Sequence, residues 1–302
     1  MSATHRRLDG ERWHFQHGPI DCIVSAAGDR DAVDAAAERA WLRFQTVLGE
    51  LVAELPLLRA DRSASPRPPR PTGSVARRMV AACEPHAADG RFITAMAAVA
   101  GSVAEEIVAA FDAPGIARAA VNNGGDIALR LSPGESFVVG VCADPSIARF
   151  ASPLDGRFAV ESSSPVRGIA TSGWRGRSFS LGIADSVTVL APTAAAADAA
   201  ATIVANAVDV DDARIVRAPA SSVRDDSDLG DRLVTRAVPA LPAGLVAAAL
   251  ARGSAEAQRQ IDAGRIVAAV LSLQGRWSVV GDVDVAPPPL RSPAAPHALA
   301  VC

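Results

Sequence analysis

The stretch AAVNNGGDIALRL, residues 119–131, decides the fold, because two runs of strand-forming residues flank a pair of glycines. Asn123, Gly124 and Gly125 stand between the two runs, and adjacent glycines permit positive φ angles and an open backbone. Such a turn can direct N–H groups at a ligand, and Asp126 adds a hydrogen-bond acceptor. On residue types alone, an ordinary β-hairpin turn is the favoured explanation. The stretch therefore predicts an antiparallel hairpin whose turn is a candidate binding element.

The rest of the chain mixes such hairpins with helices. Apolar residues recur at helical spacing over residues 31–58, and Pro56 is expected to end or bend that helix. Further helices are predicted over residues 75–83, 93–111, 193–208, 243–252 and 255–263. Strands are predicted over residues 119–122, 126–131, 137–143, 158–162, 180–190, 266–273 and 277–280, with broken strands over 12–26. This order predicts an α+β fold of mixed sheets and packed helices rather than a doubly wound sheet.

Three segments are expected to lie outside regular structure. Residues 1–10 are predicted to be a flexible tail, and the Pro- and Ala-rich residues 285–302 a disordered one. Residues 59–74 hold four prolines within six positions, which argues against any regular element. We expect an exposed basic loop there; the alternative is a mobile arm that brings arginines to an anionic ligand. The remaining residues, 11–284, are expected to form one compact globule of up to two closely joined subdomains.

Composition excludes several classes of function. The 302-residue chain is 49% hydrophobic, so a packed globule is expected. Its formal net charge of −3 offers no basic field for nucleic acid or anionic lipid. All 30 basic residues are arginines and tyrosine is absent, which excludes a lysine Schiff base, a P-loop lysine and a tyrosine acid or nucleophile. Anions must therefore be bound by arginine, by backbone N–H groups or by a metal.

The cysteines and the hydropathy pattern predict a cytoplasmic protein. The four cysteines are scattered and do not pair with the five histidines at zinc spacings, so we expect buried free thiols in a reducing compartment. The N-terminal residues lack the apolar region of a secretory signal, and no run of about 18 apolar residues predicts a membrane span. Neither nucleic acid nor a membrane is expected as a partner, and the oligomeric state is left open.

A second candidate site is the sequence GIATSG, residues 168–173. The hydroxyls of Thr171 and Ser172, next to Gly173, can bond a phosphate or a ring nitrogen. Arg175 and Arg177 follow, and guanidinium groups suit bidentate contacts with phosphate. A polar turn on a solvated face explains these residues equally well. A serine nucleophile is not predicted, because the chain has no G-x-S-x-G pattern here and no nearby histidine.

A third candidate is the pair Asp198 and Thr202. The two residues are four apart on a predicted helix, so they share one face. A carboxylate and a hydroxyl oxygen are hard ligands that suit Mg²⁺, which takes few protein ligands together with phosphate oxygens. A solvent-facing pair is the plainer explanation of the spacing. However, the surrounding residues are alanine and other small apolar types, and a buried Asp without a partner is costly.

Taken in order, these segments resemble the ApbE-like superfamily, named for FAD:protein FMN transfer. That superfamily carries a Gly-Gly-Asp turn, a Thr-Ser-Gly turn, a Val-Thr-Val strand and a helix with Asp and Thr four residues apart. The matching residues are Gly124-Gly125-Asp126, Thr171-Ser172-Gly173, Val187-Thr188-Val189, and Asp198 with Thr202. The chain is also similar to an uncharacterised cytoplasmic branch of that superfamily. This similarity lies in residues 14–21, 94–106, 121–129 and 168–191 and in the C-terminal extension from Asp228. The resemblance thus covers most of the chain.

The resemblance implies an ApbE-like fold and a flavin nucleotide ligand. It implies that Asp198 and Thr202 hold Mg²⁺ beside the pyrophosphate of FAD, with a backbone carbonyl from residues 98–101 completing the site. In the transferases FAD is then cleaved and FMN moves to a Thr of a target protein, so a protein acceptor is also implied. With the two turns, the candidate ligand-binding residues are Asn123, Gly124, Gly125, Asp126, Thr171, Ser172, Gly173, Arg175, Arg177 and Asp185.

Three departures from the transferase pattern stand against carrying over the activity. The transferases have a His-x-x-Asp-Pro motif before the Val-Thr-Val strand, whereas the interval here has neither His nor Pro and keeps only Asp185. A lysine precedes the glycine of their small-residue helix, whereas Ala100 precedes Gly101 here. Many of them are exported lipoproteins, and this chain shows no signal. No catalytic residue is therefore assigned.

Three hypotheses follow for the function. The first is a Mg²⁺-dependent enzyme that acts on FAD or a related pyrophosphate nucleotide, as a flavin transferase or an FAD-cleaving enzyme. The second is a non-catalytic flavin or pterin binding protein on the same scaffold, which the missing His-x-x-Asp-Pro motif favours. The third is a partner-binding module that uses residues 59–74 or the C-terminal extension.

Overall fold

The chain folds into two units, each with its own helices and strands. The structure is a computed structural model that describes residues 2–8, 11–64, 69–141, 156–283, 285 and 298–301. The first unit comprises Met1–Val138, Ala159–Ala170 and Ala191–Ala199. The second comprises Val139–Phe158, Thr171–Leu190 and Ala200–Cys302. Helices and antiparallel strands occur in both units, so the α+β fold class is confirmed.

The first unit is built on an antiparallel sheet. Its neighbouring strands, in spatial order, are β1 (Thr4–Arg7), β2 (Arg12–His17), β3 (Ile20–Gly28), β4 (Ile116–Asn123), β5 (Asp126–Leu131) and the start of β8 (Gly168–Ser172). The expectation of a flexible tail over residues 1–10 is therefore wrong at β1, because this strand pairs along its whole length with β2. Side chains alternate between the faces, and Phe15 packs against Trp41 and Phe44 on one of them.

Helices pack against this sheet and against one another. They are α1 (Arg30–Ala53), α2 (Leu55–Leu58), α3 (Ser74–Ala88), α4 (Val99–Val108) and the start of α5 (Ala194–Ala207), with 3₁₀ turns at Arg62–Ala64, Ala95–Ala98 and Ala109–Phe111. Helix α1 begins where the Asp29 carboxylate accepts the Ala32 N–H at 3.0 Å. It breaks at Glu54, and Pro56 lies in the first turn of α2, so the predicted interruption is confirmed. The helix predicted over residues 93–111 is α4 between two 3₁₀ turns.

Two thiols lie in the core of the first unit. Cys22 on β3 and Cys83 on α3 are buried and unoxidised. Desolvation raises the pKa of both thiols far above the ordinary value, so neither forms a thiolate in the folded unit. These two cysteines are the buried free thiols that the sequence predicts.

The start of the proline-rich segment is held more tightly than an exposed basic loop. Asp61 forms an antiparallel bridge with Thr94, which draws the chain back onto the first unit. The Arg62 side chain is only 1% exposed, and its Nη1 donates to the Pro69 carbonyl at 3.1 Å. The expected exposed loop is thus wrong at Arg62, whose guanidinium is buried and also lies 3.6 Å from Glu84 Oε1. Residues 65–68 lie outside the described residues.

The second unit combines a three-stranded antiparallel arrangement with one long helix. Its central strand β12 (Ala268–Leu273) pairs with β9 (Ser186–Ala191) on one side and with β13 (Arg276–Gly281) on the other. A smaller ladder joins β10 (Val216–Pro219) to β11 (Leu233–Ala237), with the short α6 (Ala220–Val223) between them. Strands β6 (Ser136–Val141), β7 (Gly156–Glu161) and β14 (Ala298–Val301) form another sheet in the order β14-β6-β7. Strand β14 lies within the tail that was expected to be disordered; residues 286–297 lie outside the described residues.

A single helix, α7 (Ala243–Asp262), replaces the two helices predicted at 243–252 and 255–263. The prediction broke the helix at Gly253 and Ser254, which have weak helix propensity. A Cβ at Gly253 would lie 2.2 Å from Val208 Cγ2 and 2.7 Å from Leu271 Cδ2. The glycine therefore permits close packing of α7 and does not end it. Among the described residues, no helix is long and apolar enough to cross a membrane.

Candidate functional site

The glycine pair forms the two-residue turn of the β4–β5 hairpin. Asn123 is paired with Asp126, which leaves Gly124 and Gly125 as the loop. Their φ angles are +67° and +113°, a region that favours glycine. The Gly125 N–H donates to Asn122 Oδ1 at 2.8 Å. The hairpin predicted from the sequence is confirmed, with Asn123 and Asp126 both buried.

Asn123 joins this hairpin to helix α4. Its Nδ2 donates to the Ala100 carbonyl at 3.2 Å, and its Oδ1 accepts the Asp21 N–H at 3.4 Å. Only 4% of the residue is exposed. Both ends of the amide are therefore engaged, and Asn123 fixes the position of Ala100 in the first turn of α4. Ala100 belongs to residues 98–101, the region that the resemblance implies for a metal-binding carbonyl.

Asp198 approaches the same turn of α4 from helix α5. Its Oδ2 accepts the Gly101 N–H at 2.9 Å. Desolvation raises the pKa of Asp198 to about 7, although the N–H groups of Gly101 and Ala100 act in the opposite direction. Helix α4 has no side-chain cap of its own, so the Asp198 carboxylate caps it from outside. Within the first unit, the solvent-facing alternative for Asp198 is wrong, because its side chain is half-buried and bonded.

The first turn of α5 is fixed by caps and by two glycines. Thr193 Oγ1 accepts the Ala196 N–H, and Glu105 Oε2 accepts the Ala195 N–H, each at 3.2 Å. A Cβ at Gly101 would lie 2.2 Å from the Ala194 carbonyl oxygen, and one at Gly168 would lie 2.2 Å from the Ala194 nitrogen. These contacts hold the turn that precedes Asp198 against α4 and β8.

Ion pairs within the first unit support Glu105 in turn. Arg78 Nε lies 3.0 Å from Glu105 Oε1, and Arg78 Nη1 lies 2.8 Å from Glu106 Oε2. Arg43 Nε and Ser74 Oγ each lie 2.8 Å from Glu106 Oε1. Burial acts to raise the pKa of Glu106, but hydrogen bonds from Arg43, Arg78 and Ser74 outweigh it and hold the pKa at about 2. Arginines thus fix both carboxylates of α4.

The metal ligands predicted from the sequence are one carboxylate and one hydroxyl on the same helix. Thr202 is one turn beyond Asp198 on α5 and is half-buried. Asp198 belongs to the first unit and Thr202 to the second. Within the described ranges, no group of three or more His, Cys, Asp or Glu side chains could hold a metal ion. A metal at Asp198 would therefore rely mainly on oxygen donors other than carboxylates, a set that suits Mg²⁺ and not zinc.

In the second unit, the hydroxyl-rich segment is the end of a strand and not a turn. Thr171 and Ser172 close β8, and the chain turns only after Gly173. The Thr171 and Thr188 hydroxyls lie 2.9 Å apart, which ties β8 to β9. A Cβ at Gly173 would lie 2.5 Å from the Asp185 carbonyl oxygen. The predicted turn at residues 171–173 is therefore wrong for its two hydroxyl residues, because they continue the strand that begins at Gly168.

Asp185 holds the segment that follows. Its Oδ1 accepts from Trp174 Nε1 at 3.2 Å and from Arg175 Nε at 2.8 Å, while Oδ2 accepts the Gln274 N–H. The Arg175 guanidinium lies over the Trp174 ring, 4.9 Å from its centroid. Arg177 is exposed. Sequence reasoning missed Trp174; the signal was a large aromatic residue between the hydroxyl pair and the arginines.

The candidate residues divide between the two units. The first unit contains Asn123, Gly124, Gly125, Asp126 and Asp198. There, Asn123 bonds to Ala100 and Asp198 bonds to Gly101, so both contact the same turn of α4. The second unit contains Thr171, Ser172, Gly173, Arg175, Arg177, Asp185 and Thr202. There, Asp185 brings Arg175 and Trp174 together.

The relatives that this chain matches by sequence include several UPF0280 proteins. The chain is 33% identical to a UPF0280 protein of Methanopyrus kandleri over 204 residues, which cover 68% of this chain and 77% of that protein. A UPF0280 protein of Methanosphaerula palustris is 32% identical over 200 residues, 65% of this chain and 77% of that protein. The match to a UPF0280 protein of Methanoculleus marisnigri, 40% identical over 124 residues, spans 40% of this chain and 48% of that protein.

The comparison of structures and the family model complete these findings. The apo form of the Pseudomonas stutzeri flavinyl transferase ApbE is 14% identical, with 94% of each chain covered and a TM-score of 0.42. The sequence model of the family described as "AbpE bacteria" matches residues 4–279. Because that match extends over most of its length, the chain belongs to this bacterial, ApbE-like family.

Proposed function

We propose that this protein binds FAD, or a related pyrophosphate-containing nucleotide, together with Mg²⁺, and that Asp198 and Thr202 hold the ion. One observation carries the proposal. The Asp198 carboxylate is half-buried and accepts the Gly101 N–H in the first turn of α4, the turn that Asn123 also holds through the Ala100 carbonyl. Burying a carboxylate is costly, and a bound cation would offset part of that cost.

The residues present fit Mg²⁺ by their chemistry. A carboxylate, a hydroxyl and a backbone carbonyl are hard oxygen donors, and Mg²⁺ usually keeps its remaining positions for water and substrate phosphates. When bound, the ion would neutralise charge on the pyrophosphate and polarise its P–O bonds. Phosphate oxygens also need hydrogen-bond donors, and this chain can offer only arginine guanidinium groups, backbone N–H groups and neutral polar side chains.

The chain's own residues have separate tasks in this proposal. Asp198 is oriented by the Gly101 N–H, and Asn123 positions the Ala100 carbonyl. Gly124 is exposed and has no side chain, so its backbone is open to a ligand, whereas the Gly125 N–H is engaged by Asn122 Oδ1. The exposed Arg177 supplies positive charge for a phosphate group.

Calorimetric titration with FAD tests the proposal directly. Wild-type protein is expected to bind FAD in Mg²⁺ and to lose most of that affinity in EDTA. Asp198→Asn should weaken Mg²⁺-dependent binding by about tenfold or more, because the negative charge is lost. The amide oxygen of Asn can still accept the Gly101 N–H, so the cap of α4 and the fold should be kept.

Asp211→Asn is a matched control, because it makes the same chemical change at an exposed position. It should bind FAD as the wild type does. If wild-type protein binds no FAD in the presence of Mg²⁺, or if Asp198→Asn binds as tightly as the wild type, the proposal is wrong.

The contacts of Asp185 favour a second candidate function, the binding of a flavin or pterin without catalysis. The transferase motif with a histidine is missing from this interval, and the Asp185 carboxylate is engaged by Trp174, Arg175 and Gln274. A carboxylate fixed by three donors is poorly placed to act as an acid or base. Incubation with FAD and Mg²⁺, followed by chromatography, separates the two functions. Release of FMN or AMP supports a transferase or FAD-cleaving enzyme, and tight binding without products supports the binding protein.

A further inference from the structure

Trp174 is a rigid, half-exposed aromatic side chain beside the hydroxyl pair of β8. Its backbone N–H donates to the Ala184 carbonyl at 3.0 Å, and its Nε1 donates to Asp185 Oδ1 at 3.2 Å. Both anchors belong to the segment that leads into β9. One hydrogen bond therefore holds the backbone of Trp174 and another holds its indole, so little rotamer entropy remains to be lost when a ligand stacks on the ring. Aromatic residues with an apolar ring and a satisfied polar edge are common at binding surfaces.

The arginine beside Trp174 is held by the same carboxylate. Arg175 Nε donates to Asp185 Oδ1 at 2.8 Å, and its guanidinium lies 4.9 Å from the centroid of the Trp174 ring. Asp185 itself is buried, and the Gln274 N–H engages its second oxygen. One buried carboxylate thus orients a flat cation and a flat aromatic ring together, in an arrangement that cation–π attraction stabilises further.

We propose that Trp174 and Arg175 form the binding surface for the isoalloxazine ring of the flavin, with Asp185 as the positioning residue that fixes both. Isoalloxazine is a fused, electron-poor heterocycle whose edge carries carbonyl and imine acceptors. An indole offers such a ring a stacking surface, and a guanidinium offers charged donors for its acceptors. This assignment rests on the proposed binding of FAD and adds which part of FAD the second unit recognises.

The experiment compares FAD, FMN and ADP as separate probes, each with Mg²⁺. Isoalloxazine stacked on an indole loses its fluorescence, so wild-type protein should quench the emission of bound FAD and FMN. Trp174→Ala should weaken FMN and FAD binding by about tenfold or more and abolish the quenching. Trp174→Phe keeps a ring but loses the Nε1 donor, so its affinity should be intermediate. ADP lacks the flavin ring, so its affinity should be unchanged in both variants.

Trp277→Ala is the matched control. Trp277 is 39% exposed on β13 and is the same residue type in the same unit. It should bind and quench all flavins as the wild type does, and thermal unfolding should show that every variant folds. Unchanged FMN affinity and quenching in Trp174→Ala would overturn the inference alone. Weakened ADP binding would overturn the isoalloxazine assignment, and absence of FAD binding by the wild type would overturn the proposed function with it.

Discussion

Asp198 combines a structural role, the capping of α4, with the ligand-binding role that we propose for it. It caps α4 through the Gly101 N–H, and that helix has no cap from its own preceding residue. The same hydrogen bond orients the carboxylate toward the first turn of α4, where Ala100 is fixed by Asn123. The structural role and the proposed binding role therefore depend on one geometry, and substitutions at residues that fix the start of α5 should affect both.

Glu105 is the residue that tests this dependence. Glu105→Ala removes the acceptor of the Ala195 N–H and the partner of Arg78. Loss of a cap costs about 0.5–2 kcal/mol of stability, and we expect Mg²⁺-dependent FAD affinity to fall several-fold as the first turn of α5 loosens. Glu105→Gln retains an acceptor oxygen and should recover most of the affinity. Thermal unfolding and calorimetric titration measure the two effects.

The control for Glu105 is Glu161→Ala, at an exposed position at the end of β7. It should change neither quantity. If Glu105→Ala lowers stability but leaves FAD affinity at the wild-type value, Glu105 supports the fold alone and does not position Asp198.

At the scale of elements, local chemistry explains what the sequence predicts well. Strand β5 and the glycine turn before it are predicted to the residue, because hairpin turns are specified by the residues within them. Helix α7 is predicted as two helices, because Gly253 resembles a helix break in the local sequence. The glycine in fact allows α7 to pack closely against Leu271, and this contact is not visible in the local sequence. The contact between Asp198 and Gly101 joins residues 97 positions apart. Helical spacing puts Asp198 and Thr202 on one face, but no local pattern shows what Asp198 touches.

A substitution at Gly101 tests the close approach of α4 to α5. A Cβ there would lie 2.2 Å from the Ala194 carbonyl oxygen, so Gly101→Ala must push the first turns of α4 and α5 apart. Overpacking of this kind costs about 1–3 kcal/mol, and we expect both lower stability in urea and weaker FAD binding.

Gly49→Ala is expected to change stability in the opposite direction. Gly49 lies within α1, and an added Cβ meets no atom within 4 Å. Removing glycine from a helix interior should therefore stabilise the protein by up to about 1 kcal/mol, with FAD affinity unchanged. Equal effects of the two substitutions would show that close approach at Gly101 is unimportant.

At the scale of the whole molecule, stability in acid should depend on carboxylates held by arginine. The pKa of Glu106 is lowered from 4.5 to about 2, so this group stabilises the fold fully above about pH 4.5 and loses that contribution as the pH falls toward 2. Glu50 contributes with the same sign, because its hydrogen bond with Arg43 lowers its pKa.

Glu106→Gln tests this contribution. At pH 7 it should be less stable than the wild type by roughly 1–3 kcal/mol, because Arg43 and Arg78 lose a charged partner. The difference between the two proteins should shrink as the pH falls from about 4.5 toward 2. Asp198, with its raised pKa, affects both proteins alike, so the difference isolates Glu106. Urea unfolding across this range measures it.

An exposed residue supplies the control here. Glu38→Gln on α1 should follow the wild type at every pH. A difference between Glu106→Gln and the wild type that stays constant down to pH 2 would show that the charge on Glu106 contributes nothing to folding.

The buried thiols of the first unit have a consequence for following its motions. Cys22 lies on a central strand and Cys83 on α3, and both are sealed from water. A thiol reagent can reach either sulfur only after the surrounding packing has opened. The rate at which each becomes alkylated would therefore time the opening of strand and helix separately, from within the native sequence and without any introduced probe.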